Sequence, residues 1–179
     1  MSELQRFLAA HPDIDAVQVF ITDPGGVPRG KSVRAGELEA IFRDGRRVAG
    51  SILGLDVTGE DVEETGLVWS VGDADQSCRP VAGSLGRAPW LSRPTGQVLG
   101  TMLELDGRPA AADPRHALAR VVRRCEAAGF TPVVAVELEF YLLERAAVGR
   151  LEPSSGMLGG ARRTRIDAYP VQEKYGLVF

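Results

Sequence analysis

Two glutamates, Glu137 and Glu139, interrupt an otherwise apolar run between Val133 and Leu143. Successive residues of a β-strand alternate between the two faces of a sheet, so a strand here would have one fully apolar face. Both glutamates would share the other face, with their Cα atoms about 6–7 Å apart. Two like charges on a partly apolar face are costly unless water, a cation or protonation relieves them.

This pair of acids has two interpretations. Carboxylate oxygens suit magnesium or manganese, and magnesium often bridges protein carboxylates to the phosphates of a substrate. A divalent metal site, with one or two ions, would therefore indicate phosphoryl chemistry. The alternative is an amphipathic strand whose odd-numbered face meets solvent. The apolar neighbours on that face, including the bulky Tyr141, weaken this alternative but leave it open.

Bulk composition excludes several classes of function. The chain of 179 residues is 44% hydrophobic and 25% charged, as is typical of a globular protein. Its net charge of −3 gives no support for nucleic-acid binding. No apolar run is long enough to span a membrane, and the first residues lack the pattern of a secretory signal. With only Cys78 and Cys125 present, no disulfide framework is expected, and the cytoplasm is the default location.

Local patterns predict a mixture of helices and strands. Cap and turn residues predict a short helix after Ser2, a hairpin around the turn at 23–26 and a second short helix at 37–42. The stretch 45–66 has little periodicity and is predicted to be a long loop, a kind of segment that is often functional. The remaining predicted elements are strands at 67–71 and 97–105, a helix from Asp113 to about Gly129, and the strand that carries the two glutamates.

The predicted helix after Asp113 also carries two residues of possible chemical interest. Cys125 falls on its apolar side, which predicts a thiol in the core. His116 lies in the first turn and is predicted to be exposed, and neither it nor His11 has the spacing of a metal ligand. After residue 144 the chain becomes rich in glycine and arginine, so the unit that begins with this helix looks incomplete.

The long loop contains a cluster of acidic residues. A solvated surface loop would account for such a cluster without any function, whereas the functional alternative is an anionic lip that attracts a cationic amine or ammonium ion. The glycine-rich stretch 156–160 lacks the Gly-Lys-Ser/Thr ending of a phosphate-binding loop. Nothing in the sequence supports a hydrolase that uses a side-chain nucleophile. The clustered acids are Asp56, Glu60, Asp61, Glu63 and Glu64.

Several short motifs, taken in order, resemble the N-terminal portion of the glutamine synthetase family, especially its γ-glutamyl-polyamine synthetase-like branch. Each motif is weak alone, but together they extend over about residues 13–145 and are fairly specific. The matching segments are 55–59 (LDVTG), 72–75 (GDAD), 80–90 (PVAGSLGRAPW), 106–109 (DGRP), 113–115 (DPR) and 136–142 (VELEFYL).

The resemblance implies an α+β protein with a β-grasp-like N-terminal domain over residues 1–106, followed by the truncated beginning of a glutamine synthetase-type catalytic domain over residues 107–179. It implies an ATP-dependent carbon–nitrogen ligase that phosphorylates the γ-carboxylate of glutamate, after which ammonia or an amine displaces the phosphate. By the same resemblance Glu137 and Glu139 would bind Mg²⁺ or Mn²⁺, and Asp56 would lie near the ammonium or amine site. The full-length protein would form a homo-oligomeric ring.

Two departures from the family pattern refine these expectations. Ammonia-specific members usually carry Asp-Gly-Ser-Ser where this chain has Asp56-Val57-Thr58-Gly59, which favours a larger amine as the acceptor. Members commonly carry Glu-Pro-Glu where this chain has Leu138 between the glutamates, a change that keeps the strand alternation. The remaining metal, glutamate and nucleotide residues of the family lie beyond the matched part, so the isolated chain is expected to be inactive. The alternatives are a free-standing β-grasp interaction module and a non-catalytic remnant.

Overall fold

The computed structural model describes residues 1–68, 72–137, 143–145 and 151–153, which form a mixed sheet with helices, an α+β architecture. No helix in these ranges is long and apolar enough to cross a membrane. The α-helices are α1 (Glu3–Ala10), α2 (Leu38–Asp44) and α3 (Pro114–Ala127). The strands are β1 (Ala16–Thr22), β2 (Pro28–Arg34), β3 (Arg46–Ala49), β4 (Asp75–Pro80), β5 (Gly86–Arg87), β6 (Thr95–Leu103), β7 (Leu143–Arg145) and β8 (Leu151–Pro153). Short 3₁₀ helices occupy Ala35–Glu37, Gly50–Gly54 and Glu63–Thr65.

Six strands form one sheet in the order β2-β1-β6-β4-β3, with the short β5 also paired to β6. β1 and β6 run parallel, from Ala16 opposite Thr95 to Phe20 opposite Leu99. The other neighbouring strands in the sheet are antiparallel. β7 and β8 form a separate antiparallel pair. Two parallel neighbouring strands require a crossover connection. The chain between β1 and β6 therefore returns to the end of the sheet at which β1 begins, and on the way it forms β2, β3, β4 and β5.

The first hairpin forms as the sequence predicts. β1 occupies the predicted residues Ala16–Thr22, and Val17, Val19 and Ile21 are only 0, 4 and 2% exposed. In the turn the Gly26 amide donates to the Asp23 carbonyl oxygen at 3.0 Å, and Gly26 has a φ of 81°. That φ lies in the left-handed region, which glycine enters without steric cost.

The core lies between the sheet and the helices α1 and α2. Ser2 caps α1: its hydroxyl accepts from the Gln5 amide at 3.2 Å, while the Gln5 side chain accepts from the Ser2 amide at 2.9 Å. This reciprocal capping box fixes the start of the helix, and Leu4 and Phe7 on its apolar side are buried. Burial of each large aliphatic side chain contributes about 1.5–3 kcal/mol. The buried residues include Leu4 and Phe7 of α1, Leu38 and Ile41 of α2, and Val98 and Met102 of β6.

Strands β3 and β4 are not predicted by the sequence. β3 lies directly after Gly45, in the stretch predicted to be a loop, and β4 contains only one buried residue, Cys78. Neither segment alternates apolar and polar residues as a half-buried strand should. They form because β4 hydrogen-bonds to β6 on one side and to β3 on the other. The strand predicted at 67–71 is also wrong where it can be compared, since Leu67 and Val68 lie in a bend, and residues 69–71 fall outside the described residues.

The strand predicted to carry the two glutamates is not formed in its described part. Residues 131–137 have no regular secondary structure, and Val133, Val134 and Val136 are 93, 82 and 83% exposed. Residues 138–142, including Glu139, lie outside the described residues. Alternating side chains suit a strand, but the backbone also needs a neighbouring strand to which it can bond. Among the described residues no strand pairs with 131–137.

Helix α3 begins and ends where the sequence predicts, but its apolar side is uncovered. Pro114 occupies its first turn, and Gly129, with a φ of 83°, follows its end. Leu118 and Val121 are 65 and 55% exposed. Cys125 is a free, half-buried thiol, so the prediction of a core thiol is wrong. The reason is that no residue of this helix is buried against the described part of the chain.

A buried cluster of polar groups joins the start of α3 to β6. The Asp113 carboxylate accepts from the Thr101 hydroxyl and from the Met102 amide, both at 2.8 Å, and from the Arg115 amide at 2.8 Å. His116 Nε2 donates to the Met102 carbonyl oxygen at 2.8 Å and lies 3.1 Å from Thr101 Oγ1. Because a carbonyl oxygen only accepts, Nε2 carries a proton. The side chain of His116 is 17% exposed, so the predicted exposure is wrong.

We predict that Asp113→Ala lowers the free energy of unfolding by about 2–4 kcal/mol, because it removes a helix cap and leaves two donors of β6 without their acceptor. Urea unfolding followed by circular dichroism measures the change. Asp106→Ala is the matched control, since Asp106 is exposed and its carboxylate bonds to Arg108 of its own turn; it should leave the midpoint almost unchanged. Equal midpoints for the two variants would contradict the prediction.

Candidate functional site

The loop that carries Asp56 is a compact turn rather than an open acidic segment. A bridge between Leu55 and Asp61 closes it. Inside the bridge, the Asp56 amide donates to the Glu60 carbonyl oxygen at 2.9 Å, and the Gly59 amide donates to the Asp56 carbonyl oxygen at 3.1 Å. Gly59 has a φ of 92°, which explains the glycine at this position. We call residues 55–61 the Asp56 loop.

The carboxylate of Asp56 organises this loop. Its Oδ1 accepts from the Thr58 hydroxyl at 2.7 Å, from the Thr58 amide at 2.8 Å and from the Glu60 amide at 3.0 Å. The Thr58 hydroxyl and then the Glu60 amide hold the pKa of Asp56 below its ordinary value of 3.8, so the group is ionised at neutral pH. Oδ2 accepts no hydrogen bond from the described residues, so it is the oxygen that could meet a cation.

Arg29 of β2 ties the Asp56 loop to the first hairpin. Its Nε donates to Asp23 Oδ2 at 2.9 Å, and its Nη2 donates to the Asp56 carbonyl oxygen. Asp23 is 1% exposed, and its other oxygen accepts from the Val27 amide at 2.8 Å. A buried charge pair of this kind is tolerated when further hydrogen bonds satisfy both partners. Arg29 therefore holds the backbone of Asp56 at a fixed place beside the sheet.

The side chains of the other acids in the cluster do not join this arrangement, although the backbone of Glu60 and Asp61 does. Glu60, Asp61, Glu63 and Glu64 are all exposed, which fits the interpretation of a solvated surface for these four residues. The functional interpretation of the loop therefore depends on Asp56. No group of three or more His, Cys, Asp or Glu side chains in the described part of the chain could hold a metal ion.

Of the two glutamates predicted to be metal ligands, only Glu137 lies within the described residues. Glu137 is exposed at the end of the irregular segment 131–137, and Glu139 lies outside the described residues. Carboxylate oxygens fit the preference of Mg²⁺ and Mn²⁺, and the exposed side chain of Glu137 is accessible to an ion. No hydrogen bond or ion pair within the described ranges joins Asp56 to Glu137, so these two candidate residues are not brought together by direct contact.

Sequence reasoning missed the residues that position the candidate site. An arginine in a strand does not by itself predict a positioning role. The place of Arg29 just after the turn at Asp23 does suggest that the two side chains could pair across the hairpin. The His116 cluster has a signal in Asp113-Pro114, which predicts a helix cap, but a cap alone does not show that Asp113 also binds β6. Both cases involve partners distant in sequence, which local patterns cannot supply.

The fold and this loop define a class of structure: an α+β unit on a mixed sheet that presents an ionised carboxylate on a loop held by a half-buried arginine. Comparison with known proteins identifies the family. The sequence model of the glutamine synthetase catalytic domain matches residues 111–175. γ-Glutamylputrescine synthetase of Escherichia coli (strain K12) is 38% identical over 173 residues, which cover 94% of this chain and 36% of that protein. Glutamate–isopropylamine ligase of a Pseudomonas species is 32% identical over 145 residues, covering 79% of this chain and 31% of that protein.

Solved structures agree with these sequence matches. A novel glutamine synthase homolog aligns with a TM-score of 0.56 at 23% identity, over 64% of this chain and 27% of that chain, a likeness that shows the fold alone. A GmaS–ADP complex aligns with a TM-score of 0.54 at 26% identity, over 72% of this chain and 26% of that chain. Together these matches show that the chain belongs to the glutamine synthetase family. It spans about a third of the length of the curated relatives it matches, 36% and 31% for the two above.

We predict that the Thr58 and Glu60 amides lose their protection from hydrogen exchange as the pH falls. The depressed pKa of Asp56 means that the ionised carboxylate stabilises the loop above the ordinary pKa, and that this stabilisation is lost as the pH falls through the lower pKa of the folded state. Protection factors from NMR, corrected for intrinsic exchange, should drop as the pH falls through the ordinary pKa of 3.8 and on through the lower pKa of the folded state. Asp56→Asn keeps an acceptor oxygen but no titratable group, so its protection should not follow this pH dependence. Constant protection in the unsubstituted chain would contradict the assignment.

Proposed function

We propose that this chain is the N-terminal part of an ATP-dependent ligase that joins glutamate, through γ-glutamyl phosphate, to an amine larger than ammonia. The observation that carries the proposal is the 38% identity to γ-glutamylputrescine synthetase over 94% of this chain. A second relative, at 32% identity, is named for isopropylamine. A glutamine synthetase, that of Pyrococcus furiosus, is less similar, at 29% identity over 92% of this chain. The proposal of a larger amine is therefore supported chiefly by the first relative, whose name includes putrescine.

The proposed architecture has two units. Residues 1–106 form a β-grasp-like domain, a proposal supported by the mixed sheet with its parallel central pair and by the packing of α2 in the core. Residues 107–179 begin a catalytic domain of glutamine synthetase type, which the match at 111–175 supports. Ala110 and Asp113, 0 and 2% exposed, anchor the connection between them on the first unit. In the complete protein we expect the uncovered side of α3 to pack inside the catalytic domain.

Asp56 is the residue that we propose to meet the amine. An amine acceptor carries a positive charge near neutral pH, and the ionised Asp56 carboxylate, with Oδ2 free of hydrogen bonds from the described residues, is a suitable partner for it. The Thr58 hydroxyl and the Glu60 amide occupy Oδ1 and so orient the carboxylate. Val57, 72% exposed beside it, offers apolar contact to the carbon chain of an amine, which ammonia lacks.

Glu137 and Glu139 are the residues that we propose to hold Mg²⁺ or Mn²⁺. A divalent ion would neutralise the charge on the phosphates of ATP during phosphoryl transfer. The remaining partners in the proposal are glutamate, ATP and further copies of the chain in a homo-oligomeric ring. The two free cysteines fit a reducing compartment such as the cytoplasm.

We predict that the native protein, captured from its own cell with an antibody to residues 13–106, releases phosphate from ATP only when glutamate and an amine are both present. Putrescine or isopropylamine should support a higher kcat/KM than ammonium, because a longer acceptor can contact Asp56 and Val57 together. The 179-residue chain, purified in parallel, should release no phosphate. The intact mass of the captured protein shows which species is being assayed.

The outcomes of this assay separate the alternatives. Turnover by the 179-residue chain alone would contradict the proposal that the catalytic site needs further residues. Absence of turnover in a captured species of 19.2 kDa would instead favour a β-grasp interaction module or a non-catalytic remnant. A preference for ammonium would contradict the proposal that the acceptor is a larger amine, but it would leave the proposed ligase reaction in place.

We predict that Mn²⁺ added to the 179-residue chain broadens the NMR signals of residues 133–137, because a paramagnetic ion at Glu137 and Glu139 relaxes nearby nuclei. Glu137→Gln or Glu139→Gln should weaken the apparent affinity at least about tenfold, since each change removes the negative charge and one of the two oxygens of a ligand, which costs more than loss of a supporting partner. Glu126→Gln, an exposed acid of α3, is the control and should leave the broadening unchanged. Broadening confined to the Asp56 loop would contradict the assignment.

A further inference from the structure

One guanidinium joins two segments that are separate in the sequence, the first hairpin and the Asp56 loop. Nε of Arg29 donates to Asp23 Oδ2 in the hairpin at 2.9 Å, and Nη2 donates to the Asp56 carbonyl oxygen in the loop. The other hydrogen bonds described above for Asp56 close within its own loop. Arg29 therefore supplies a cross-link between the loop and the sheet.

The hairpin side of this cross-link is held in one orientation. Asp23 is 1% exposed, and its second oxygen accepts from the Val27 amide at 2.8 Å, so both of its oxygens are engaged. The side chain of Arg29 is 15% exposed. A carboxylate and a guanidinium with so little access to water depend on such further hydrogen bonds. The guanidinium of Arg29 is therefore fixed relative to the turn.

The loop is packed closely against this guanidinium and against the turn. A Cβ added at Gly59 would lie 3.4 Å from Arg29 Nη1, so the loop backbone passes directly beside the guanidinium. A Cβ added at Gly25, in the turn, would lie 3.7 Å from Val57 Cγ1. Groups packed this closely transmit a displacement to their neighbours. A shift of the guanidinium would therefore move the loop that carries Asp56.

Both hydrogen bonds depend on the shape of the arginine side chain. A guanidinium is planar and presents its N–H groups in a rigid fork, so Nε and Nη2 of Arg29 can serve two acceptors at once. The ammonium of a lysine is a point charge on a flexible stem. It could keep the charge contact with Asp23, but it could not reproduce both bonds with the same geometry. The residue type therefore points to alignment of the two segments rather than to charge neutralisation alone.

We propose that Arg29 is a positioning residue for the amine step: it sets where the Asp56 carboxylate lies without touching the amine itself. This role rests on the proposed function, in which Asp56 meets the cationic amine. The Thr58 hydroxyl and the Glu60 amide orient the carboxylate within the loop, and Arg29 places the loop against the sheet. A binding group that is in place for only a fraction of the time lowers the apparent affinity by that fraction. Loss of Arg29 therefore acts on amine binding.

The test compares the KM values of the three substrates in one enzyme. The protein is captured from its own cell as described above, with Arg29→Lys introduced in its gene, and putrescine is the amine. We expect the KM for putrescine to rise about tenfold, because misplacement of a group by about 1 Å can cost up to about 100-fold. The kcat at saturating putrescine and the KM values for glutamate and ATP should stay within about twofold, since excess amine offsets a loop that is less often in place.

Hydroxylamine reports on the acyl phosphate without the cationic amine. It is largely uncharged at neutral pH, so it needs no carboxylate partner. Its nitrogen attacks the γ-carbonyl carbon of γ-glutamyl phosphate and loses a proton, phosphate leaves, and the hydroxamate forms. Arg29→Lys should therefore form the hydroxamate at a rate within about twofold of that of the unsubstituted protein.

Arg87→Lys is the matched control. Arg87, on β5, also holds a carboxylate with two N–H groups, because Nη1 donates to Asp13 Oδ1 at 3.1 Å and Nη2 lies 2.9 Å from Asp13 Oδ2. Neither residue belongs to the Asp56 loop or to the hairpin turn beside it. The substitution removes the same fork of donors, and it should leave all three KM values unchanged.

The outcomes separate this role from the proposed function. If the unsubstituted protein forms no γ-glutamylputrescine, the proposed function fails and the role of Arg29 fails with it. If that protein is active, an unchanged KM for putrescine in Arg29→Lys would overturn the role alone. A parallel rise in the KM for glutamate, or an equal rise in Arg87→Lys, would also overturn it, because either result would indicate a general loss of structure.

A second variant decides the question if Arg29→Lys does not fold, as judged by circular dichroism. The φ of Gly25 lies outside the left-handed region, so its backbone accepts an alanine. Gly25→Ala leaves Arg29 in place, but the new Cβ would lie 3.3 Å from Asp23 Oδ1 and would press the turn against Val57. The KM for putrescine should rise about two- to threefold with the KM for glutamate unchanged. An unchanged KM for putrescine in this variant would overturn the role.

Discussion

The parallel pairing of β1 with β6 is the interaction on which the rest of the sheet depends. It joins segments almost eighty residues apart, and every other strand of the sheet is added to one or other side of this pair. The pair is held by its ladder and by a hydrogen bond from the Gln97 side chain to the Gln18 side chain at 2.6 Å. α1 is fitted to the same place, since a Cβ at Gly96 would lie 3.0 Å from the Phe7 ring. Bringing two distant segments together costs loop-closure entropy before their hydrogen bonds and contacts can form. Burial of apolar side chains in the flanking hairpin and α2 therefore has to offset part of that cost.

Carboxylates that accept from backbone amides recur at the junctions of this fold. Asp23 accepts from Val27 in the hairpin turn, Asp56 accepts from Thr58 and Glu60 in its loop, and Asp113 accepts from Met102 and Arg115. Each carboxylate satisfies donors that a turn or a helix start would otherwise leave unpaired. Arg29 links the first two, so the loop proposed to meet the amine is fixed through a charge pair in the hairpin.

Much of the fold can be predicted from the sequence, and the failures share a cause. β1, α1, α2, β6 and α3 have strong local signals, namely alternation, capping residues, and glycine or proline at their ends. β3 and β4 lack such signals, and they form because they hydrogen-bond to neighbouring strands. Residues 133–137 show the opposite case: they have the alternating pattern of a strand, but no strand among the described residues pairs with them. For the candidate site, Asp56 and Glu137 stand out by residue type, whereas Arg29 and His116 depend on contacts with distant residues. His116 is predicted to lie at the surface, but its ring lies against the sheet, because Nε2 donates a hydrogen bond to the Met102 carbonyl oxygen.

The double attachment of Asp113 has a consequence for how the length of this connection can vary. One carboxylate holds both β6 and the first turn of α3, so the direction in which the helix leaves the sheet is set at Asp113 itself. The preceding turn at Asp106-Gly107 is exposed and closed by its own hydrogen bonds, from the Gly107 amide to the Glu104 carbonyl oxygen at 2.9 Å and from the Glu104 amide to the Arg108 carbonyl oxygen at 2.7 Å. Added residues in an exposed turn cost little loop entropy. Insertions at this turn would therefore lengthen the connection between sheet and helix without turning the helix, so that evolution can vary the surface here while the attachment of α3 to β6 stays the same.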